Sequence, residues 1–121
     1  MTTPPRGRRN KYFAIKTKGH DGRTYDSKLE ARVADELWLK RQSGGIVDYI
    51  PQVTITFASG TTWRCDFMVI DYDCVDSWGI RVCGVKFIEA KGRDTERWRV
   101  IQKLLKHEKP WLWERLEVRR K

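Results

Sequence analysis

The spacing of apolar and polar residues predicts one helix and three strands in the first three quarters of the chain. Apolar side chains recur at helical intervals over residues 27–42, and a Ser-Gly-Gly sequence ends that segment. β-branched residues predict a strand over residues 52–57, and apolar and polar side chains alternate over residues 62–71. An acidic loop then leads to a third predicted strand over residues 80–90.

The last quarter of the sequence predicts a second helix and one more strand. The helix begins after Asp94 or Thr95, either of which can cap it, and ends near Lys109. Pro110 cannot simply continue this helix, because its ring removes a backbone donor and clashes with the preceding turn. Residues 116–118 alternate in polarity and predict a short final strand.

The N-terminal part of the chain predicts a basic arm and a small hairpin. Residues 1–10 contain two prolines, a glycine and three arginines, a composition typical of a flexible segment. Residues 12–18 and 23–25 predict a hairpin around a turn over residues 19–22. We therefore expect a flexible basic arm over residues 1–10 and a single folded domain over residues 11–121.

The order helix, three strands, helix, strand predicts an α/β fold with a mixed β-sheet flanked by helices. The 121 residues suit one domain, and no apolar run approaches the roughly 20 residues that span a bilayer. The N-terminus lacks the apolar segment of a secretory signal. Three cysteines without C-x-x-C spacing argue against a disulfide framework or a zinc site, so we expect a cytoplasmic protein.

The net charge of +9 is concentrated at the two ends of the chain. Residues 1–28 carry +6, residues 91–121 carry +6, and residues 29–90 carry −3. Cationic ends suit a polyanion such as nucleic acid, although a soluble protein with a basic surface is the plainer alternative. The predicted DNA-binding residues, which would contact phosphates without reading sequence, are Arg6, Arg8, Arg9, Lys11, Arg93, Arg97, Arg99, Lys103 and Lys106.

Glu89 and Lys91 stand at the end of the third predicted strand. Residues two apart in a strand share a face, so the carboxylate and the ammonium would project together while Ala90 points away. Burying such a pair adds little stability, because desolvation offsets much of the attraction. A structural or incidental ion pair remains the alternative to a functional role.

Asp66 lies in the middle of the second predicted strand, among residues typical of a sheet core. A carboxylate there is unfavourable unless a cation or a donor meets it. An ion pair with Arg64 or another basic residue is the structural alternative. Its side of the strand would also carry Met68 and Ile70, and the other side would carry Trp63, Cys65, Phe67 and Val69.

Glu30 is the third acid in an apolar setting. At about 100° per residue, it projects into the middle of the apolar arc that includes Leu29, Val33 and Leu37. The alternative is a capping box, in which Ser27 and Glu30 satisfy each other's backbone donors at the start of the helix. The two roles are compatible.

Three acids on apolar faces beside one lysine predict a site for Mg²⁺ (or Mn²⁺), which prefers oxygen ligands. Asp66 and Glu89 would bind the ion together with a backbone carbonyl, for which we expect that of Ala90. Glu30 would complete the shell or hold a second ion. Lys91 would orient a water molecule or stabilise charge on a phosphorane.

The stretches YDSKLEARVADEL, RCDFMVI and FIEAKGR resemble the PD-(D/E)XK nuclease superfamily. They are most similar to the phage endonuclease I and related Holliday junction-resolving endonucleases, over about residues 24–106. The resemblance implies a restriction-endonuclease-like fold, with Glu30 as the helix acid, Asp66 and Glu89 as metal ligands and Lys91 as the catalytic lysine. Cys65 stands where the proline of the superfamily name would precede the aspartate.

The resemblance also implies an activity, a substrate and an assembly. The chain would be a Mg-dependent endodeoxyribonuclease that hydrolyses branched DNA in recombination or repair, as a phage Holliday junction resolvase in the host cytoplasm. It would act as a homodimer, in which Glu30 could complete the partner's site. The alternatives are a nuclease with another DNA structure preference, such as nicking or end-processing, a non-catalytic nucleic-acid-binding domain of the same fold, and a phage assembly protein whose basic ends bind other proteins.

Overall fold

The computed structural model describes residues 16–75, 78, 81–91 and 93–120. The predicted basic arm and the first part of the predicted hairpin lie outside these residues. The elements in chain order are β1 (Thr17–Lys18), β2 (Thr24–Tyr25), α1 (Lys28–Gln42), β3 (Asp48–Thr56), β4 (Thr62–Val75), β5 (Arg81–Ala90), α2 (Glu96–Glu108), α3 (Pro110–Glu114) and β6 (Leu116–Arg119). The predicted α/β class and the order of the main elements are confirmed.

The main sheet has four strands in the order β3-β4-β5-β6. The pairs β3–β4 and β4–β5 are antiparallel, and β5 pairs with β6 in parallel, so the predicted mixed sheet is confirmed. The short strands β1 and β2 form a separate antiparallel hairpin. The edge strands are therefore β3 and β6. The central strands β4 and β5 carry Asp66 and Glu89.

Two element boundaries differ from the prediction for identifiable reasons. β3 begins at Asp48, four residues before the predicted start, and contains Pro51, which an edge strand tolerates because one side of it needs no backbone donors. Pro110 ends α2 as expected, but it also occupies the first turn of the unpredicted helix α3. An N–H in the first turn of a helix has no intrahelical acceptor, so a proline there removes no helical hydrogen bond.

Two buried clusters stabilise the sheet. The first joins α1 to the sheet through residues such as Leu37 and Ile88, and the second joins α2 and α3 to it through residues such as Trp98 and Phe87. Because Phe87 and Ile88 are neighbours in one strand, the two clusters lie on opposite faces of β5. The helices therefore flank the sheet.

β4 changes from one cluster to the other at Asp66. Trp63, Cys65, Phe67 and Val69 are all buried, but the first two belong to the α2 cluster and the last two to the α1 cluster. The predicted alternation is therefore seen in the burial of β4, but the four buried side chains divide between two cores. The physical reason is that β4 pairs with both β3 and β5 from Phe67 onward, whereas its residues before Phe67 pair with β3 alone.

A polar cluster attaches the N-terminal hairpin to β3. The hydroxyls of Tyr25 and Tyr49 both donate to Oδ2 of Asp21, the second at 2.8 Å, and the backbone N–H of Arg23 donates to Oδ1 at 3.0 Å. The hairpin also contacts α1, where the His20 N–H donates to Asp35 at 2.8 Å. These bonds hold the segment that leads into α1. Within the described residues, no helix is both long enough and apolar enough to cross a membrane.

Candidate active site

The candidate site lies where β4 and β5 separate. Phe67 and Ile88 form the last residue pair between the two strands, so Asp66 and Glu89 are the next residue on each strand. The backbone N–H of Ala90 donates to Oδ2 of Asp66 at 2.7 Å, a contact between a side chain and the neighbouring backbone. The separation of the strands therefore directs the Asp66 carboxyl group toward the residues that flank Ala90.

Asp66 and Glu89 are in hydrogen-bonding contact with each other through their carboxyl groups. Burial, followed by the hydrogen bond and the charge of Glu89, raises the pKa of Asp66 to about 9, although the Ala90 N–H and the Lys91 charge oppose the change. The contact therefore favours one proton shared by the two carboxyl groups over two adjacent negative charges. A bound cation would offset the second negative charge when that proton leaves.

Glu89 is the one charged residue with a fully buried side chain in the described part of the chain, at 2% exposure. Its Oε2 atom accepts a hydrogen bond from the indole Nε1 of Trp63 at 2.6 Å. The bond partly replaces the water that burial removes from the carboxylate. Trp63 thus stabilises Glu89 in the position from which it contacts Asp66.

Lys91 lies beside the same group of side chains. Its Nζ is 4.8 Å from the centre of the Trp98 ring, on α2, and its side chain is half-buried. The positive charge of Lys91 acts to lower the pKa of Asp66, against the larger effects that raise it. Since Trp63 and Trp98 contact each other with ring centroids 5.7 Å apart, the partners of Glu89 and Lys91 are themselves neighbours.

Glu30 approaches Asp66 from the start of α1. Burial, and then the charges of Asp66 and Asp26, raise the pKa of Glu30 to about 7, against the Asp26 backbone hydrogen bond and the Arg64 charge. The Glu30 N–H donates to the Ser27 hydroxyl at 3.1 Å, which is half of a capping box. The residue therefore combines a capped backbone with a carboxyl group near the site.

Arg64 is the alternative partner that the sequence offered for Asp66, and the structure gives it another acid. Its Nη2 atom lies 3.2 Å from Oδ2 of Asp26. Asp66 instead contacts the Ala90 N–H and the Glu89 carboxyl group. The acid in the middle of β4 is thus paired with a second acid instead of a base, which is unfavourable for stability alone.

The donor set fits a hard cation. The carboxyl groups of Asp66 and Glu89 and the carbonyl of Ala90 are oxygen ligands of the type that Mg²⁺ and Mn²⁺ bind. No three Asp, Glu, His or Cys side chains form a ready-made metal-ligand group among the described residues. Glu30 therefore influences Asp66 electrostatically without joining the Asp66–Glu89 pair in such a group, and its direct ligation stays a prediction.

The predicted DNA-binding residues divide into three sets. Arg6, Arg8, Arg9 and Lys11 lie outside the described residues. On α2, Arg97 donates to the carbonyl of Thr62 at 2.9 Å and so ties the helix to β4. The other four residues lie on or just before α2 and are exposed, as Arg97 is: Arg93, Arg99, Lys103 and Lys106.

Trp63 and Trp98 are site residues that the sequence did not reveal. Both are buried aromatic residues, and the sequence placed Trp63 only on the side of β4 opposite Asp66. The hydrogen bond from Trp63 to Glu89 crosses 26 positions and has no periodic signal. No protein-family model, no curated protein and no solved structure matches the chain, so the case for this site depends on its own geometry.

Proposed function

We propose that the chain is a Mg²⁺-dependent endodeoxyribonuclease with a restriction-endonuclease-like fold. One observation carries the proposal: the carboxyl groups of the half-buried Asp66 and the buried Glu89 meet where β4 and β5 separate, and the Lys91 charge acts on the same place. Two carboxyl groups in contact keep a proton between them unless a cation takes its place. An ammonium next to two metal-binding carboxylates suits the hydrolysis of a phosphodiester.

Each residue of the site has a role in this proposal. Asp66 and Glu89 hold the metal ion, with the carbonyl of Ala90 as a further ligand and Glu30 next to them. The ion would polarise a phosphoryl oxygen and lower the pKa of a coordinated water. Lys91 orients the attacking water or stabilises the negative charge that develops on the phosphate.

Branched DNA is the proposed substrate, and a homodimer the proposed assembly. The cationic ends of the chain support a nucleic-acid partner. The helix α2 carries exposed arginine and lysine side chains, and it also carries Trp98, whose ring lies under the Lys91 ammonium. The similarity to the Holliday junction-resolving endonucleases supports four-way junctions, phage origin and action in the host cytoplasm. Two protomers would cut two strands symmetrically.

The test compares purified wild-type protein with Asp66→Asn, Lys91→Ala and Asp71→Asn. Asp71 is on the same strand, but it pairs with Lys86 at 3.2 Å, so it is a matched control for loss of one acid. The substrates are a synthetic four-way junction, a linear duplex and a single strand, each with Mg²⁺. We expect junction cleavage by wild type and Asp71→Asn, and at least a hundredfold loss in the other two variants.

Two results would separate the alternatives. Equal cutting of all three substrates would exclude the junction preference and leave a nuclease with another role, such as nicking or end-processing. Salt-dependent DNA binding without cleavage by any variant, in Mg²⁺ or Mn²⁺, would indicate the non-catalytic binding domain.

A further inference from the structure

Trp63 and Trp98 connect the two groups that the proposed reaction requires. The Trp63 indole N–H donates to Glu89, and the Trp98 ring lies under the Lys91 ammonium. The two rings contact each other at 5.7 Å with a 42° tilt. Both side chains are at most 5% exposed, so close packing restricts their movement.

The bond from Trp63 restricts the Glu89 carboxylate. An indole has one donor, and here it is used on a single carboxylate oxygen, Oε2, at the short distance typical of a charge-assisted bond. A bond of this kind fixes the rotation of the carboxylate and leaves its other oxygen for further partners. Hydrogen bonds to metal-binding groups commonly change metal affinity by 10- to 100-fold.

Trp98 acts on Lys91 by a different interaction. The negative face of an indole attracts an ammonium within about 6 Å of the ring centre, and the 4.8 Å distance satisfies this. Because α2 anchors Trp98 in the second buried cluster, the ammonium is drawn to the side of the sheet on which Trp63 holds Glu89.

We propose that Trp63 and Trp98 are positioning residues, in which Trp63 orients Glu89 for metal binding and Trp98 holds the Lys91 ammonium beside the same ion. This inference rests on the proposed function, and it assigns different tasks to the two rings. Loss of the Trp63 N–H weakens metal binding. Loss of the Trp98 ring slows the chemical step and leaves metal affinity nearly unchanged.

The experiment measures Mn²⁺ binding by calorimetry, without DNA, and then the cleavage rate at saturating Mn²⁺. Trp63→Phe removes the donor. Replacement of Trp63 by 3-benzothienylalanine removes the same N–H with the bicyclic shape kept, so the test survives if the phenylalanine variant does not fold. Trp98→Leu removes the aromatic face, and Trp98→Phe retains one. Trp111→Phe is the matched control, since Trp111 is 53% exposed and packs its edge against Phe87.

We expect both Trp63 variants to bind Mn²⁺ about tenfold more weakly, with a cleavage rate at saturating metal within threefold of wild type. Trp98→Leu should lower that rate about tenfold with Mn²⁺ affinity within threefold, and Trp98→Phe should restore part of it. Trp111→Phe should bind Mn²⁺ like wild type.

Unchanged Mn²⁺ affinity in a folded Trp63 variant would overturn the role of Trp63, and an unchanged rate in Trp98→Leu would overturn that of Trp98. Asp66→Asn separates these failures from failure of the proposed function. If wild type and Asp66→Asn bind Mn²⁺ equally, the metal site itself is wrong, and both proposals are overturned.

Discussion

The backbone N–H of Ala90 donates to Oδ2 of Asp66 at 2.7 Å, at the point where β4 and β5 stop pairing. Ala90 lies between Glu89 and Lys91, so this bond aligns both residues with Asp66 through one backbone contact. The sheet thereby places the half-buried carboxyl group of Asp66 against the buried carboxyl group of Glu89.

Asp66→Asn should stabilise the metal-free protein while abolishing metal-dependent cleavage. An asparagine oxygen can still accept from the Ala90 N–H, and its amide can donate to Glu89 without a bound proton. Because the buried acid pair is unfavourable, we expect the free energy of unfolding in a chelating buffer at neutral pH to rise by about 1 kcal/mol. Urea denaturation measures the change. A loss of stability would show that the acid contact is not unfavourable.

Ser27→Ala and Glu30→Gln should separate helix capping from the role of the Glu30 carboxylate. Ser27→Ala removes the acceptor for the Glu30 N–H and should lower the free energy of unfolding by about 1 kcal/mol, with cleavage changed less than threefold. Glu30→Gln keeps that N–H and should lower cleavage at least tenfold. Denaturation and cleavage assays on both variants test this, and equal cleavage loss in the two would mean that Glu30 acts only through the helix.

Lys103→Ala and Arg97→Ala should differ in stability although both remove one positive charge from α2. Lys103 is exposed, so its loss should weaken DNA binding and reduce the slope of log affinity against log salt by about 1, with no change in melting temperature. Arg97 also donates to the Thr62 carbonyl, so its loss should lower stability by about 1 kcal/mol as well. Salt titrations of DNA binding and thermal melts test the pair. An unchanged salt slope for Lys103→Ala would exclude it from the DNA-binding surface.

Asp21 should make stability fall at acidic pH. Burial alone would raise the pKa of Asp21, but hydrogen bonds from Tyr25, the Arg23 N–H and Tyr49 outweigh it and lower the pKa. A lowered pKa in the folded state gives stability that is present above the unfolded value of 3.8 and is lost as pH falls through the folded value.

The tyrosines of the same cluster limit stability at alkaline pH. Burial first, and then the hydrogen bond to Asp21, raise the pKa of Tyr49 to about 12, so its contribution is complete below pH 10 and is lost as pH rises from 10 toward 12. Asp21→Asn should weaken the fall in stability at both acidic and alkaline pH, and it should lower the free energy of unfolding near neutral pH by about 2 kcal/mol. Urea denaturation from pH 3 to 11 measures these changes. Tyr49→Phe is the control, which should remove only the part of the alkaline fall that comes from Tyr49. If Asp21→Asn leaves the acidic fall unchanged, other groups cause that fall.

Much of the fold was predictable because its signals are local. Ser27 and Thr95 cap their helices at the expected places, since capping depends on the first turn alone. Polarity alternation identified β4 for the same reason. The start of β3 was missed because Pro51 interrupts the local strand pattern, and only the position of β3 at the edge of the sheet accommodates this proline.

The sequence by itself determined the element order, the charge at the two ends and the three acids that do not suit an apolar setting. The tertiary structure decided which partners those acids have: Arg64 pairs with Asp26, while Asp66 meets Glu89, and Trp63 donates to Glu89. The physical reason is range. Helix and strand periodicity depends on neighbouring residues, whereas these contacts join residues 23 to 38 positions apart and exist only once the strands separate and the two helical layers pack on the sheet.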